Sequence, residues 1–480
     1  MKLFLATIAI LFSFVSATGQ SAPVLDSLQK EYLKPKPFKE RGNLLIQLAS
    51  ATMSVNPDQA DKYGEELIAL ASNQPDKEAL IKSYNANGVR CAGWAGIRNY
   101  AEKAMNYFEA GKALAVKHNL KKYETNILLQ QANLQLSVPD LHKASKYLEE
   151  ATTLNANKND SISAELAFTR GDIQLARNEK INALRSYLTA LRLGDSLKMA
   201  PLQRNGLLKM SGFYGSIEDY DKAIAYYEKA MDKLKELPAA YRGLYLKVTD
   251  LKTIGDLYAF QKNYNLAKTY YENSIKLADS LQYQPLKIHG YIGLLNVFIF
   301  MKEPQKSMAF MRSKQGQDLT AYLSTLKMDA IADQANAIIY SEMGQLDSAG
   351  KYFRKSADFF NNSGNPIYKM SNLVQTAYYL KRKGDYRQAI NLFLQADTLA
   401  KSNGQLDKLI EINKNLDTLY TNLGDYRQAK FHSSAYYQYK DSFQTLNKEK
   451  QLSQIEADDA LQQLQREQLL QEEKKNERNN

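Results

Sequence analysis

The chain has 480 residues, of which 24% are charged and 44% belong to the hydrophobic set. That composition excludes a disordered chain, and the length is too great for one compact core. The formal net charge is +11. Counted in successive hundreds, basic and acidic residues number 11 and 9, 14 and 11, 13 and 10, and 13 and 9, with 12 and 13 in the last eighty. An excess smeared so evenly argues against the concentrated positive footprint of a nucleic-acid-binding protein.

The chain opens MKLFLATIAILFSFVSATGQSAP. Lys2, the apolar stretch Leu3–Val15 and the small-residue pattern Val15-Ser16-Ala17 predict a secretory signal peptide over residues 1–20. The protein is therefore expected to be exported, periplasmic or envelope-associated. No cysteine flanks the cleavage region, which argues against a lipid anchor. Cys91 is the only cysteine, so neither a disulfide framework nor a cysteine metal cluster is expected. After the signal the longest apolar run is Tyr291–Met301, which Asn296 interrupts and which is too short to span a bilayer.

Residues 21–437 carry a repeat. The six residues GDYRQA occur at Gly384–Ala389 and again at Gly424–Ala429, with looser echoes upstream such as EDYDKA at Glu218–Ala223. The residues ending each echo form a series of anchors: Ala60, Ala104, Ala144, Ala183, Ala223, Ala267, Ser307, Ala349, Ala389 and Ala429. Consecutive anchors lie 39 to 44 residues apart. Four residues after an anchor comes a large residue (Phe108, Leu148, Tyr187, Tyr271, Phe393), and seven after comes a small one (Gly111, Ala151, Ala190, Ser274, Ala396). Those offsets share one face of a helix. Twelve residues before the anchor a small residue recurs on a preceding helix, as in Ala132, Gly171, Ser211, Gly255, Ala337 and Ala377. Small residues on both helices let the two backbones approach, and Gly344, Gly384 and Gly424 are placed to end the first helix in a left-handed turn. A hairpin of this kind cannot bury its apolar face alone and must stack on neighbours.

The pattern resembles the tetratricopeptide repeat in a form of about forty residues. It covers Lys39 to Lys440, is fullest in Leu251–Asp279 and is weakest at Ala60 and Ser307, where Pro304 sits in the turn. The early tryptophan of that family is missing, and Trp94, the only tryptophan, reads as packing. The resemblance implies an all-α, right-handed superhelical α-solenoid of about ten helical hairpins. It also implies recognition of a protein or peptide on a concave face lined by the first helix of each hairpin. By that geometry the inward, partner-binding positions include Phe168, Asp172, Lys252, Asp256, Phe260, Tyr378, Lys381 and Arg382.

No pattern for chemistry competes with this reading. The four histidines lie in different repeats without metal spacing, and neither a phosphate-cradling glycine loop nor a nucleophile elbow occurs. Two SxxK matches, Ser27–Lys30 and Ser324–Lys327, lack companion motifs. No enzyme activity, cofactor or metal is expected.

Residues 438–480 contain neither proline nor glycine and predict one long polar helix. Leu452 and Ile455 fall on the opposite side from Leu461 and Leu464, so no coiled-coil seam is sustained, and a stiff connector is expected. A signal peptide, such repeats and such a tail together resemble the sensing half of bacterial tetratricopeptide histidine kinases and helix-turn-helix regulators. The resemblance implies sensing or scaffolding in envelope signal transduction, with a membrane-bound signalling partner. No kinase residue carries over, because no matching segment lies within the sequence. The alternative is an accessory protein of outer-membrane nutrient uptake or envelope assembly.

Overall fold

A computed structural model describes residues 22–445 apart from short segments at 54–55, 95–98, 139, 157–159, 238–243, 281–283 and 363–365, together with 454, 458, 461, 462, 466 and 469. The expected signal peptide lies outside the described residues. Those residues form helices joined by short turns, with no strand among them. After α1 (Ala22–Tyr32) the helices pair: α2 (Phe38–Thr52) with α3 (Pro57–Ser72), and α4 (Lys77–Ala92) with α5 (Tyr100–Lys117). The pairing continues with α6 (Lys121–Ser137) and α7 (Leu141–Leu154), α8 (Ser161–Ala176) and α9 (Lys180–Ser196), and α10 (Ala200–Ser216) and α11 (Tyr220–Asp232). Then come α12 (Leu244–Phe260), α13 (Tyr264–Ser280), α14 (Gln284–Phe300), α15 (Pro304–Arg312) and α16 (Lys314–Thr325). The last helices are α17 (Asp329–Glu342) with α18 (Leu346–Asn361), α19 (Pro366–Lys383) with α20 (Tyr386–Ser402), α21 (Leu406–Asn422), and α22, residues 426–445.

The described residues divide into two compact units. The first holds those of Ser13–Gln261, Lys276–Leu286 and Lys450–Asn480, and the second those of Lys262–Ile275 and Lys287–Glu449. Every anchor lies in the first turn of a second helix and is buried, Ala429 at 5% exposure and the other nine at 0%. Only a small side chain fits where two helix backbones meet this closely. Across one such contact Ser211, twelve residues before its anchor, donates its hydroxyl to the carbonyl of Ala223 at 2.7 Å. The small residue also admits the ring that follows the anchor: a Cβ on Gly171 would stand 2.4 Å from Cε1 of Tyr187.

GDYRQA encodes the hairpin turn. Gly384 adopts φ 87° and Gly424 φ 75°, a conformation that costs other residues about 1–2 kcal/mol. The amide of Asp385 then reaches back to the carbonyl of Leu380 at 2.9 Å, and that of Asp425 to Tyr420 at 3.0 Å, closing the first helix. Each aspartate caps the next helix, accepting from the amide of Gln388 at 3.2 Å and of Gln428 at 3.1 Å. Five residues before other anchors the same left-handed backbone recurs without glycine, at Asn178, Glu218, Lys262 and Lys302. Glycine therefore marks only some of the turns.

Two features depart from the expected pattern. The second helix of the hairpin anchored at Ser307 is broken: Ser313 ends α15 and its hydroxyl accepts from the amide of Gly316 at 3.3 Å to start α16. A Cβ on Gly316 would lie 2.4 Å from the carbonyl oxygen of Phe310, so that turn requires glycine. The tail does more than the stiff connector expected of it, because three of its residues bond or pack on the repeats. Gln454 donates to the carbonyl of Ile217 at 2.8 Å, Lys222 donates to both oxygens of Asp458 at 2.8 and 2.6 Å, and Leu461 packs on the core around Phe213 and Tyr214. Offsets of 0, +4 and +7 place these three tail residues on one helix face. A mixed face of amide, carboxylate and leucine has no heptad signature, so the apolar periodicity of the tail does not record this docking.

Lys262→Gly should raise the urea-unfolding free energy by about 0.5–1 kcal/mol, because relief of the left-handed strain exceeds the entropy that glycine adds to the unfolded chain. Gly384→Ala should lower it by about 1 kcal/mol; an unchanged midpoint in both would mean that these turns are not left-handed. Mild carbodiimide treatment of the full chain, followed by peptide mapping, should yield a Lys222–Asp458 amide in the monomer. Absence of that link would undo the tail docking.

Candidate partner-binding grooves

In both units the first helices carry a polar ladder with a fixed register. At three junctions the residue eleven before one anchor meets the residue fourteen before the next. Thr169 donates to Asn133 at 3.0 Å, Lys209 pairs with Asp172 at 2.5 Å, and Asn415 donates to the Tyr378 hydroxyl at 3.1 Å. The rule follows from stacking at a constant repeat length, which presents the same face of each first helix side by side.

In the first unit the ladder borders an open cleft of about 480 Å³ over α6, α8 and α10. Its walls are Asn133, Leu136 and Ser137, then Glu165, Phe168, Thr169 and Asp172, then Asn205 and Lys209. The α8 contributors recur at helical spacing, so one face of that helix forms the middle of the cleft. Asp172 is satisfied on both oxygens, by Lys209 and by the Tyr187 hydroxyl at 2.8 Å. Burial, with the Asp172 charge beside it, drives the Tyr187 phenol far above its ordinary range, so it stays a hydrogen-bond donor.

The second unit holds a cleft of about 350 Å³ over α14, α17, α19 and α21. Its apolar floor includes Phe300, Ile338, Met370 and Val374, and its polar rim includes Glu342, Tyr378, Arg382, Lys408 and Glu411. The Tyr378 hydroxyl donates to Glu411 at 2.7 Å, and Lys381 donates to Asn415 at 2.8 Å. Arg382 bonds Ser341 at 2.9 Å and pairs with Glu342 at 2.5 Å. Burial, with Lys414 nearby, holds the Lys381 ammonium below its ordinary value. Such cross-helix bonds fix the rim before any ligand arrives.

The expected partner positions fare unequally. Tyr378 and Arg382 share the rim of the second cleft, Asp172 lines the first cleft, and Lys381 is bonded to Asn415 outside the described lining. Phe168 also lines the first cleft, but at 1% exposure its ring belongs to the core cluster with Tyr187. Lys252 and Asp256 are spent on each other at 2.5 Å, and Phe260 stacks on Tyr220 with ring centres 6.3 Å apart; none of the three lines a described cleft. Sequence reasoning missed Glu165, Asn205 and Lys209. Extending the inward stripe of α8 by one turn toward its start finds Glu165, and the ladder register finds Lys209.

The tetratricopeptide repeat family profile matches residues 207–232 and 253–280. No curated protein matches the chain. Its fold is similar to that of a Rap protein complexed with competence and sporulation factor, at a TM-score of 0.50 and 13% identity over 84% of this chain and 98% of that one. It is also similar to a signal transduction ATPase with numerous domains and a tetratricopeptide repeat sensor from Pyrococcus horikoshii, at a TM-score of 0.50 and 13% identity over 80% of this chain and 64% of that one. The chain thus carries tetratricopeptide repeats and folds as an all-α solenoid of that type.

Tyr378→Phe should cost about 1 kcal/mol in urea unfolding, since Glu411 and Asn415 lose their shared hydroxyl. No change would mean that water replaces the bridge and that the rim is not fixed in advance.

Proposed function

We propose that this chain is an exported, non-catalytic interaction module that binds a protein or peptide on the inner face of its first helices. It would sense or scaffold in envelope signal transduction, with a membrane-bound signalling partner. The observation that carries the reading is the placement of the clefts. In each unit one spans three or four consecutive first helices and joins apolar floor to fixed hydrogen-bonding rim. A surface of that make-up suits a peptide, whose backbone needs donors and acceptors and whose side chains need apolar contact. The similar folds named above include one complexed with competence and sporulation factor and one described as a sensor, which supports a ligand-responsive role. Export rests on the leader-like N-terminus, and no described helix is long and apolar enough to cross a membrane.

A random peptide display library panned on the immobilised full chain should yield binders. Val374→Arg should weaken those seated in the second cleft by filling its floor with a charge. Failure to recover any peptide would remove the peptide-binding reading. Expressed with its own leader, the protein should be recovered outside the cytoplasm and shortened by about twenty residues. An intact Met1 on cytoplasmic protein would remove the export.

A further inference from the structure

Eighteen residues before an anchor, the first helices of two hairpins carry a glutamate: Glu165 before Ala183 and Glu411 before Ala429. Both line a cleft. The two are treated differently by the chain around them. Glu411 pairs with Lys408, one turn earlier on its own helix, at 2.7 Å, and accepts from the Tyr378 hydroxyl. One turn before Glu165 stands Ile162, and where Tyr378 stands in the register the preceding hairpin has Asn133, which is engaged by Thr169.

Glu165 is consequently without a hydrogen-bond or ion-pair partner among the described residues. Burial raises its pKa, with Lys209 opposing that rise. Lys209 is itself committed to Asp172 at 2.5 Å. By residue type the lining of the first cleft holds two carboxyl groups, Glu165 and Asp172, against one lysine, and that lysine is paired with Asp172. A partly desolvated carboxylate gains most from a cation with which it can share a hydrogen bond, and Lys408 beside Glu411 shows that this position in the repeat accommodates one.

We propose that the first cleft selects a peptide bearing a lysine or arginine, whose cationic head pairs with Glu165. Its aliphatic stem lies on Leu136 and the Asn205 amide meets the neighbouring backbone, while the Ser137 hydroxyl, which donates to the carbonyl of Asn133 at 3.1 Å, can only accept from it. The proposal rests on the peptide-binding reading above and adds the ligand's charge to it.

The test pans a random heptapeptide library on the full chain and on Glu165→Gln, a change of nearly equal shape whose folding is checked by its urea midpoint. Wild-type binders should be enriched in lysine or arginine, and the best of them should bind Glu165→Gln about tenfold or more weakly. A peptide of the same sequence with that basic residue replaced by methionine should bind both proteins alike. Binders without basic enrichment, or basic binders that ignore the substitution, would overturn the cation proposal and leave peptide binding standing. Recovery of no binder from either protein would overturn both.

Discussion

The close approach of two helix backbones at one small residue is the constraint on which the rest of the structure depends. When the anchor is alanine or serine, the first and second helices of a hairpin can touch, and the large residue one turn later has a cavity to fill. Gly171 leaves no room for a side chain beneath Tyr187, so ring and glycine specify each other. A methyl group added there would displace a fully buried ring, and overpacking of that kind is resisted by a core at crystal-like density. Because the contact recurs at nearly constant spacing, successive first helices within each unit present equivalent faces, and the cleft of each unit is a by-product of the packing.

That by-product is then chemically differentiated. The same register pairs Asn133 with Thr169 at one junction, Asp172 with Lys209 at another, and Tyr378 with Asn415 at a third. The geometry is shared, while the charge differs from step to step. Side chains of this ladder are partly withdrawn from water, where an unmet hydrogen bond is costly. Most are therefore satisfied within the protein, and a group left unsatisfied is informative. Cross-helix pairs also hold the rim in one arrangement, so a ligand meets a surface whose conformational entropy is already spent.

The repeat is not uniformly regular. At Ser313 the second helix stops and a new one starts within a single residue, with Gly316 allowing the close turn. At the turn following α10 the tail supplies a helix face of its own, with an amide, a carboxylate and a leucine matched to a carbonyl, a lysine and an apolar core. Lys222 also lies 5.4 Å over the ring of Tyr214, so the cation at this edge has both a ring and a carboxylate to hold it. Such matching joins positions more than two hundred residues apart.

The sequence by itself determined the helical hairpins, their number and the buried stripe, because these depend on spacings of three, four and about forty residues that the order of residues writes directly. It also determined the turns at Gly344, Gly384 and Gly424, since only glycine adopts that backbone at no cost. The equivalent turns at Glu218, Lys262 and Lys302 were decided by tertiary packing, which imposes the left-handed conformation on residues that do not prefer it. The site divided the same way. Tyr378, Lys381 and Arg382 were expected on an inner face from the resemblance to the repeat family, and of these Tyr378 and Arg382 line the second cleft. Whether an inward residue is free depends on its neighbours in space: Asp256 is spent on Lys252, Phe168 is sealed in the core, and Glu165 has no partner among the described residues. Pairings between successive hairpins, and the docking of the tail on α10 and α11, join groups far apart in the chain by charge and hydrogen-bond complementarity. No local periodicity records that information, so only the fold could supply it.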